Sequence, residues 1–194
     1  MTKNHTPRVL TYPFDLTEGL REAAGEICGW IPDLAHVDVS RIQFSLFYTR
    51  SAKQTLTYAR CYPLSRQPKQ VGRHWYSLEP VYTPERRKAR YILAFAWKRF
   101  WEQTPKKRLE TLIHEMYHIS PRFNGEFRDF EAGGPHGHGL KWFDAQVREL
   151  LIQVPEGIEN DFPALSISVR SGLRVTGRKL EIPEWVRLDE SQSA

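Results

Sequence analysis

The pentapeptide His114-Glu115-Met116-Tyr117-His118 constrains the fold of this chain more than any other sequence feature. It has the pattern H-E-x-x-H, whose histidines can share a metal ion if the segment is helical, because residues four apart then lie on one face. Glu115 would lie beside the two imidazoles, close enough to act on a metal-bound water but not placed as a third ligand. The motif therefore predicts a helix facing a cleft, in the geometry used for zinc-assisted peptide hydrolysis.

The residues around the motif predict a helix over residues 106–119. Thr104-Pro105 supplies a capping residue and a first-turn proline, and Ser120-Pro121 ends the helix because the residue before proline avoids the helical region. The apolar residues form a stripe nearly opposite the two histidines, made of Leu109, Leu112, Ile113 and Met116. One face of the helix should pack on a core while the other carries the histidines.

A catalytic zinc site needs a third protein ligand and an open position for water. The metzincin pattern would require Gly and His where this chain has Pro121 and Asn124, so that subclass is excluded. We favour His138, because it begins a second predicted helix, 138–152, whose apolar stripe points away from it. His136 is the second choice, either as the ligand or as a contact to the developing oxyanion. The carboxylate alternatives are Glu126, Asp129 and Glu131.

Other residues are candidates for supporting roles at this site. Glu115 is the candidate general base. The candidate oxyanion donors are Tyr117, Tyr91 and His136, although core packing is the simpler role for Tyr117. Asp129 or Asp144 could accept a hydrogen bond from a ligand imidazole and so orient it.

The remaining patterns predict an α+β fold, with helix 16–31, strands 41–49, 55–62 and 90–97, a loop over 63–88 with a short strand near 74–82, and strands 165–171 and 173–182. The last two strands should form a hairpin across Ser171-Gly172. We expect a compact domain with an N-terminal helix, a short mixed sheet, the metal-site helix and a third-ligand helix. Residues 1–160 would form this domain, and residues 161–194 would be a hairpin and frayed tail packed on it.

Charge is distributed unevenly along the chain. The net charge is +5, but residues 50–110 contain 15 Lys or Arg against 4 Asp or Glu, and residues 111–163 contain 4 against 9. A basic half beside an acidic half indicates DNA contact through region 50–110 or an acidic partner. A solvated basic surface is the simpler explanation, and we favour it slightly.

The cysteines and the apolar runs exclude several protein classes. Cys28 and Cys61 form no C-x-x-C pair, which excludes a structural zinc ribbon and argues against a disulfide framework. We expect both to be buried as small apolar residues. No apolar run has the length of a signal peptide or a membrane span. We therefore expect no membrane contact and a cytoplasmic protein. No sequence feature indicates an oligomeric state.

The segment His138-Gly139-Leu140-Lys141-Trp142 resembles the H-G-x-x-aromatic element that follows H-E-x-x-H in SprT-like metallopeptidases. The series H-E-M-Y-H-I-S-P, F-N-G-E-F-R and H-G-H-G also resembles metallopeptidases encoded by phages and prophages, and the likeness covers mainly residues 90–152.

The resemblance implies a small zincin that hydrolyses a protein or peptide substrate, in the host cytoplasm if the chain is phage encoded. It implies His114, His118 and His138 as zinc ligands and Glu115 as the catalytic base. SprT-like proteins are associated with proteolysis of DNA-bound proteins, which suits the basic region, but this chain lacks the four-cysteine zinc ribbon of many of them.

The main alternative is a non-catalytic module in which zinc stabilises a surface that binds nucleic acid or a host protein. It predicts a fourth coordination position closed by His136 or a carboxylate, whereas a catalytic site keeps that position for water.

Overall fold

A three-stranded sheet of order β2–β6–β3 lies at the centre of the fold in a computed structural model that describes residues 13–48, 57–65, 67–131, 133–168 and 174–188. Strand β2 (Ile42–Phe47) runs parallel to β6 (Tyr91–Ala96), and β3 (Ala59–Pro63) runs antiparallel to it. All six residues of β6 are buried, as expected for the central strand of a covered sheet. The strands predicted over 41–49, 55–62 and 90–97 are confirmed within the described residues.

Helices α1 (Leu16–Trp30) and α3 (Pro105–Tyr117) cover one face of this sheet. Alternate side chains of β6 point into the main core between sheet and helices, and they are Tyr91, Leu93 and Phe95. Helix α1 is capped by Asp15, whose carboxylate accepts hydrogen bonds from the backbone N–H groups of Thr17 and Glu18.

In the described residues, three further helices belong to the helical layer. Helix α2 (Arg99–Glu102) follows β6, α4 (Leu140–Leu151) packs beside α3, and α5 (Pro163–Ser166) packs against α1. Short 3₁₀ segments lie at Pro32–Leu34, Val39–Arg41 and Ile158–Asp161. The fold is thus a mixed α+β arrangement, as predicted.

A second three-stranded sheet, of order β4–β5–β8, is antiparallel and consists of β4 (Lys69–Val71), β5 (His74–Leu78) and β8 (Trp185–Arg187). It meets the back of the central sheet through a smaller core that contains Ile92 and Ala94, against which Leu78 packs. Residues 63–88 therefore contain strands where the sequence indicated mostly loop. The short strand expected near residues 74–82 is present as β5.

The prediction of a C-terminal hairpin over residues 165–182 is wrong. Residues 163–166 form helix α5, and β7 (Val175–Thr176) pairs in parallel with β1 (Phe14–Asp15). Lys179 bridges to Leu46 of β2. The proposed turn at Ser171-Gly172 lies outside the described residues. The prediction failed because the first segment begins in a helix, while the second pairs with strands that are far away in sequence.

Within the described ranges, no helix has both the length and the apolar character needed to cross a membrane.

Candidate metal centre

Helix α3 carries the H-E-x-x-H motif and is fixed by local signals at both ends. The Thr104 hydroxyl accepts a hydrogen bond from the backbone N–H of Lys107 at 3.4 Å, and Pro105 is the first helical residue. The helix ends at Tyr117 with His118 as its C-cap, two residues before the predicted end. The predicted apolar stripe is buried to 2% exposure or less, and comprises Leu109, Leu112, Ile113 and Met116. The helix is thus anchored to the core on the face opposite His114.

The glycine-rich loop before α4 brings a third histidine to the motif. The donor nitrogens of His114, His118 and His136 all lie within 4.8 Å of one another, so the three residues could hold a metal ion. The ring centroid of His136 is 4.9 Å from that of His118 and 5.7 Å from that of His114. Two motif histidines and one loop histidine therefore meet on one side of α3.

His138 lies outside this group, although it was our expected third ligand. Helix α4 begins at Leu140, two residues later than predicted, so His138 belongs to the preceding loop. Its ring packs against the Trp142 ring at 5.3 Å, and the residue is exposed. The structure therefore places His136, our second choice, beside the motif.

Positive backbone φ angles set the path of this loop. Gly134, Gly137 and Gly139 have φ values of 74°, 56° and 109°, which L side chains rarely adopt. At Gly137 an added Cβ would also lie 2.7 Å from Trp142 Cζ3 and 3.2 Å from Phe130. The loop that carries His136 thus depends on glycine at position 137 for both backbone conformation and close packing.

The environment of His118 favours an unprotonated imidazole. The side chain is 6% exposed, and its Nδ1 has no hydrogen-bond partner. Burial, with smaller contributions from His114 and His136, lowers the pKa of His118 to about 3. A neutral imidazole offers a lone pair to a metal, and a buried ring nitrogen without a partner is costly unless a ligand pairs with it.

The ring of His114 contacts the carboxylate of Asp144 on α4. The Nδ1 of His114 lies 3.5 Å from the Oδ1 of Asp144. Burial lowers the pKa of His114, while the Asp144 carboxylate raises it. A carboxylate on one ring nitrogen fixes an imidazole so that the other nitrogen can face a metal.

The remaining carboxylates that the sequence suggested lie elsewhere. Asp129 and Glu131 are exposed, and neither belongs to the histidine group. The Glu126 carboxylate accepts a hydrogen bond from Asn124 Nδ2 at 2.6 Å, on an exposed turn. Of the two candidates for orienting a ligand, only Asp144 contacts one of the three histidines.

Glu115 is buried between α3 and the edge strand β3, with 6% exposure. Burial raises the pKa of Glu115 to about 8, while a hydrogen bond from the Cys61 backbone and the positive charge of Arg60 act in the opposite direction. The carboxylate therefore lies in an environment where its protonation can change near neutral pH. Sequence reasoning missed Arg60 and Cys61, because the alternation of β3 predicts a strand but not its position beside α3.

A cleft of about 740 Å³ runs past the three histidines. One wall is formed by consecutive residues 57–62, which include the start of edge strand β3, and the other by the exposed side of α3. Phe127, His136 and Asp144 contribute to the lining as well. A substrate in this cleft would contact both the histidine group and the edge of β3 that faces α3, where the Cys61 N–H is bonded to Glu115.

The two tyrosines suggested as oxyanion donors do not line this cleft. The Tyr117 ring is 8% exposed and packs against Phe143, with the Arg128 guanidinium 4.2 Å from its centroid. The Tyr91 hydroxyl donates to the Glu126 carbonyl at 2.8 Å and accepts from the Gly125 N–H at 3.1 Å. Both contribute to the core and to loop structure.

Comparison with known proteins adds one assignment. No curated protein and no solved structure matches this chain. A family described as "Putative phage metallopeptidase" matches residues 15–150, a span that includes the central sheet, the H-E-x-x-H helix and nearly all of α4. This span covers more than half of the chain, so the chain belongs to that family.

Proposed function

We propose that this chain is a zinc-dependent peptidase in which His114, His118 and His136 hold the metal and Glu115 is the general base. The convergence of the three histidine donors within 4.8 Å carries the proposal. Three nitrogen ligands with a position left for water is the donor set of several catalytic zinc sites. The unpaired, buried Nδ1 of His118 and its lowered pKa suit a metal ligand.

When bound by these histidines, zinc would supply Lewis acidity and would lower the pKa of water towards about 7. Glu115 is next to His114 in the chain and receives a hydrogen bond from the backbone of Cys61. It would accept the proton of the attacking water and deliver it to the leaving amine. Arg60 favours the carboxylate form that accepts this proton. Asp144 would hold the ring of His114 in place.

Peptide binding would use the edge of β3 that faces the cleft. Within the part of the chain that the structure describes, β3 pairs with a strand, β6, along its other edge, and residues 57–62 line the cleft beside the histidines, where the Cys61 N–H is bonded to Glu115. An extended peptide can add to such an edge through backbone hydrogen bonds, with side chains alternating between the cleft and solvent. This mode would present a backbone carbonyl of the peptide to the histidine group.

Glu115→Gln tests this function most simply, since the change removes the base but nearly preserves the shape. We expect zinc-loaded wild type to cleave a fluorescent casein, and the variant to bind zinc equally and to lose turnover. Asp129→Asn, an exposed carboxylate outside the histidine group, should retain activity. Wild-type turnover by Glu115→Gln, or no cleavage of any member of a broad peptide library by the zinc-loaded wild type, would contradict the proposal.

We also propose that the described residues beyond 160 pack on the same domain. Arg108 of α3 is buried and donates hydrogen bonds to the carbonyls of Leu165 and Ile167 at 2.6 and 2.7 Å. Leu165 is fully buried in the main core. These contacts support a domain whose core includes its C-terminal segment.

A further inference from the structure

The longest acid-free stretch of the chain includes part of the second sheet. From residue 39 to residue 78 there is no Asp or Glu, whereas there are seven basic residues, namely Arg41, Arg50, Lys53, Arg60, Arg66, Lys69 and Arg73. Strands β4 and β5 end this stretch, and β8, which pairs with β5, adds Arg187 and no carboxylate. The second sheet therefore carries Lys69 on β4, Arg73 in the turn between β4 and β5, and Arg187 on β8, with no carboxylate on its strands.

The register of the sheet places its cations and most of its rings on one face. Residues paired directly across antiparallel strands share a face, and Lys69 pairs with Tyr76, which pairs with Arg187. By the same alternation this face, which we call the basic-aromatic face, consists of Lys69, Val71, His74, Tyr76, Leu78, Trp185 and Arg187. The opposite face has no charged strand residue and consists of Gln70, Trp75, Ser77 and Val186.

The basic-aromatic face is open along most of its length. Leu78 at its inner end packs on the smaller core, whereas Val71 is 64% exposed and Trp185 is 43% exposed. A groove of about 390 Å³ is lined by Lys69, Val71, Tyr76 and Trp185. The Lys69 ammonium lies 4.9 Å from the centroid of the Trp185 ring. A cation and two aromatic rings therefore line the same groove.

We propose that the basic-aromatic face binds single-stranded nucleic acid, a function separate from peptide hydrolysis. Unpaired bases can stack on exposed aromatic rings, and lysine and arginine beside those rings can contact the phosphates. In the row Lys69–Tyr76–Arg187, an aromatic ring lies between two cations across the three strands. A duplex keeps its bases stacked inside the helix, so it would contact the cations of this face but not its aromatic rings. An acidic peptide would likewise leave the rings without base partners.

Fluorescence anisotropy with the full chain and a labelled oligothymidine of about 16 nucleotides tests the proposal. We expect saturable binding at about 50 mM salt that weakens as salt rises. Lys69→Glu combined with Arg187→Glu should reduce the slope of log K against log salt by about 1.4, because each phosphate contact to a single strand contributes about 0.7. Trp185→Ala should weaken binding roughly 5-fold to 150-fold, and Trp185→Phe, which keeps a ring, should restore most of the affinity.

The matched control is Lys106→Glu combined with Lys141→Glu, which makes the same charge change at exposed residues of α3 and α4. It should weaken binding much less than the change on the basic-aromatic face. Equal weakening by the two double variants would show diffuse attraction and overturn the proposal. Absence of saturable binding, tighter binding of a duplex of the same length, or displacement of the oligonucleotide by polyglutamate at equal charge would overturn it as well. Retained affinity in Trp185→Ala would remove the stacking role that distinguishes the site.

Discussion

The Nδ1 atom of His114 on α3 lies 3.5 Å from the Oδ1 atom of Asp144 on α4, so the two helices meet at the histidine group. Asp144 is partly exposed, which limits the contribution of this contact to stability. Its main consequence is geometric, because it restricts the rotation of the His114 ring.

We expect Asp144→Ala to lower zinc affinity by roughly 10-fold to 100-fold, the usual cost of losing a partner that orients a metal-binding histidine. A competition titration against a chromogenic chelator measures this change. Asp129→Ala is the matched control and should leave the affinity unchanged. If both variants bind zinc as tightly as wild type, Asp144 does not orient His114.

Gly137→Ala should disturb the position of His136. The new Cβ would lie 2.7 Å from Trp142 Cζ3, and the φ of 56° is unfavourable for alanine. Gly134→Ala has a similar backbone cost at a φ of 74° but meets nothing within 4 Å. The same titration should therefore show weaker zinc binding for Gly137→Ala than for Gly134→Ala. Equal affinities would mean that packing against Trp142 does not position His136.

The stability of the metal-free protein should depend on the ionisation of Glu115. Burial raises the folded-state pKa of Glu115 to about 8, whereas an unfolded glutamate has a pKa of about 4.3. Between these values the unfolded chain releases this proton more readily, so this group makes the folded state less stable as pH rises. We expect metal-free Glu115→Gln to melt at a higher temperature than metal-free wild type at neutral pH.

Thermal unfolding of both proteins with chelator present, at pH values near 5 and 8, measures this difference. The advantage of the variant should shrink at the lower pH, because that pH is close to the unfolded pKa of about 4.3 and the unfolded chain then gains less from releasing this proton. A difference that stays constant with pH would show that Glu115 is not desolvated as the structure indicates.

The two thiols should be inert in the folded protein. Burial raises the pKa of Cys28 to about 12 and raises that of Cys61 well above its ordinary value. Only a thiolate reacts rapidly with a disulfide reagent, so labelling near pH 8 should be slow until denaturant is added. Unfolded thiols ionise near pH 8.5, so these groups should also make the folded state less stable as pH rises above that value. Rapid stoichiometric labelling of the native protein would contradict this assignment.

Helix α3 could be predicted because the sequence signals that define it are local. Thr104 and Pro105 define its start, and the spacing of its apolar residues defines the face that packs on the core. The approach of Asp144 to His114 was one of two options that the sequence left open. Its outcome depends on how α3 and α4 pack, which is a long-range property.

The sequence could not show which of His136 and His138 lies beside the H-E-x-x-H motif, because the two residues are only two positions apart. The outcome depends on the φ angles of Gly137 and Gly139 and on the packing of Trp142 against Gly137 and His138. The prediction for the C-terminal segment failed for a related reason. Its alternating pattern is compatible with a strand, but the residues that pair with Val175 and Trp185 are Phe14 and Leu78, far away in the chain.

Zinc titration of His136→Ala and His138→Ala side by side tests the three-histidine centre most directly. We expect His136→Ala to lose more affinity than the roughly 100-fold that an orienting partner costs, because it removes one of the three proposed ligands. His138→Ala should bind zinc like wild type, since its ring packs on Trp142 outside the group. The reverse result, with zinc lost from His138→Ala and retained by His136→Ala, would contradict the proposed centre.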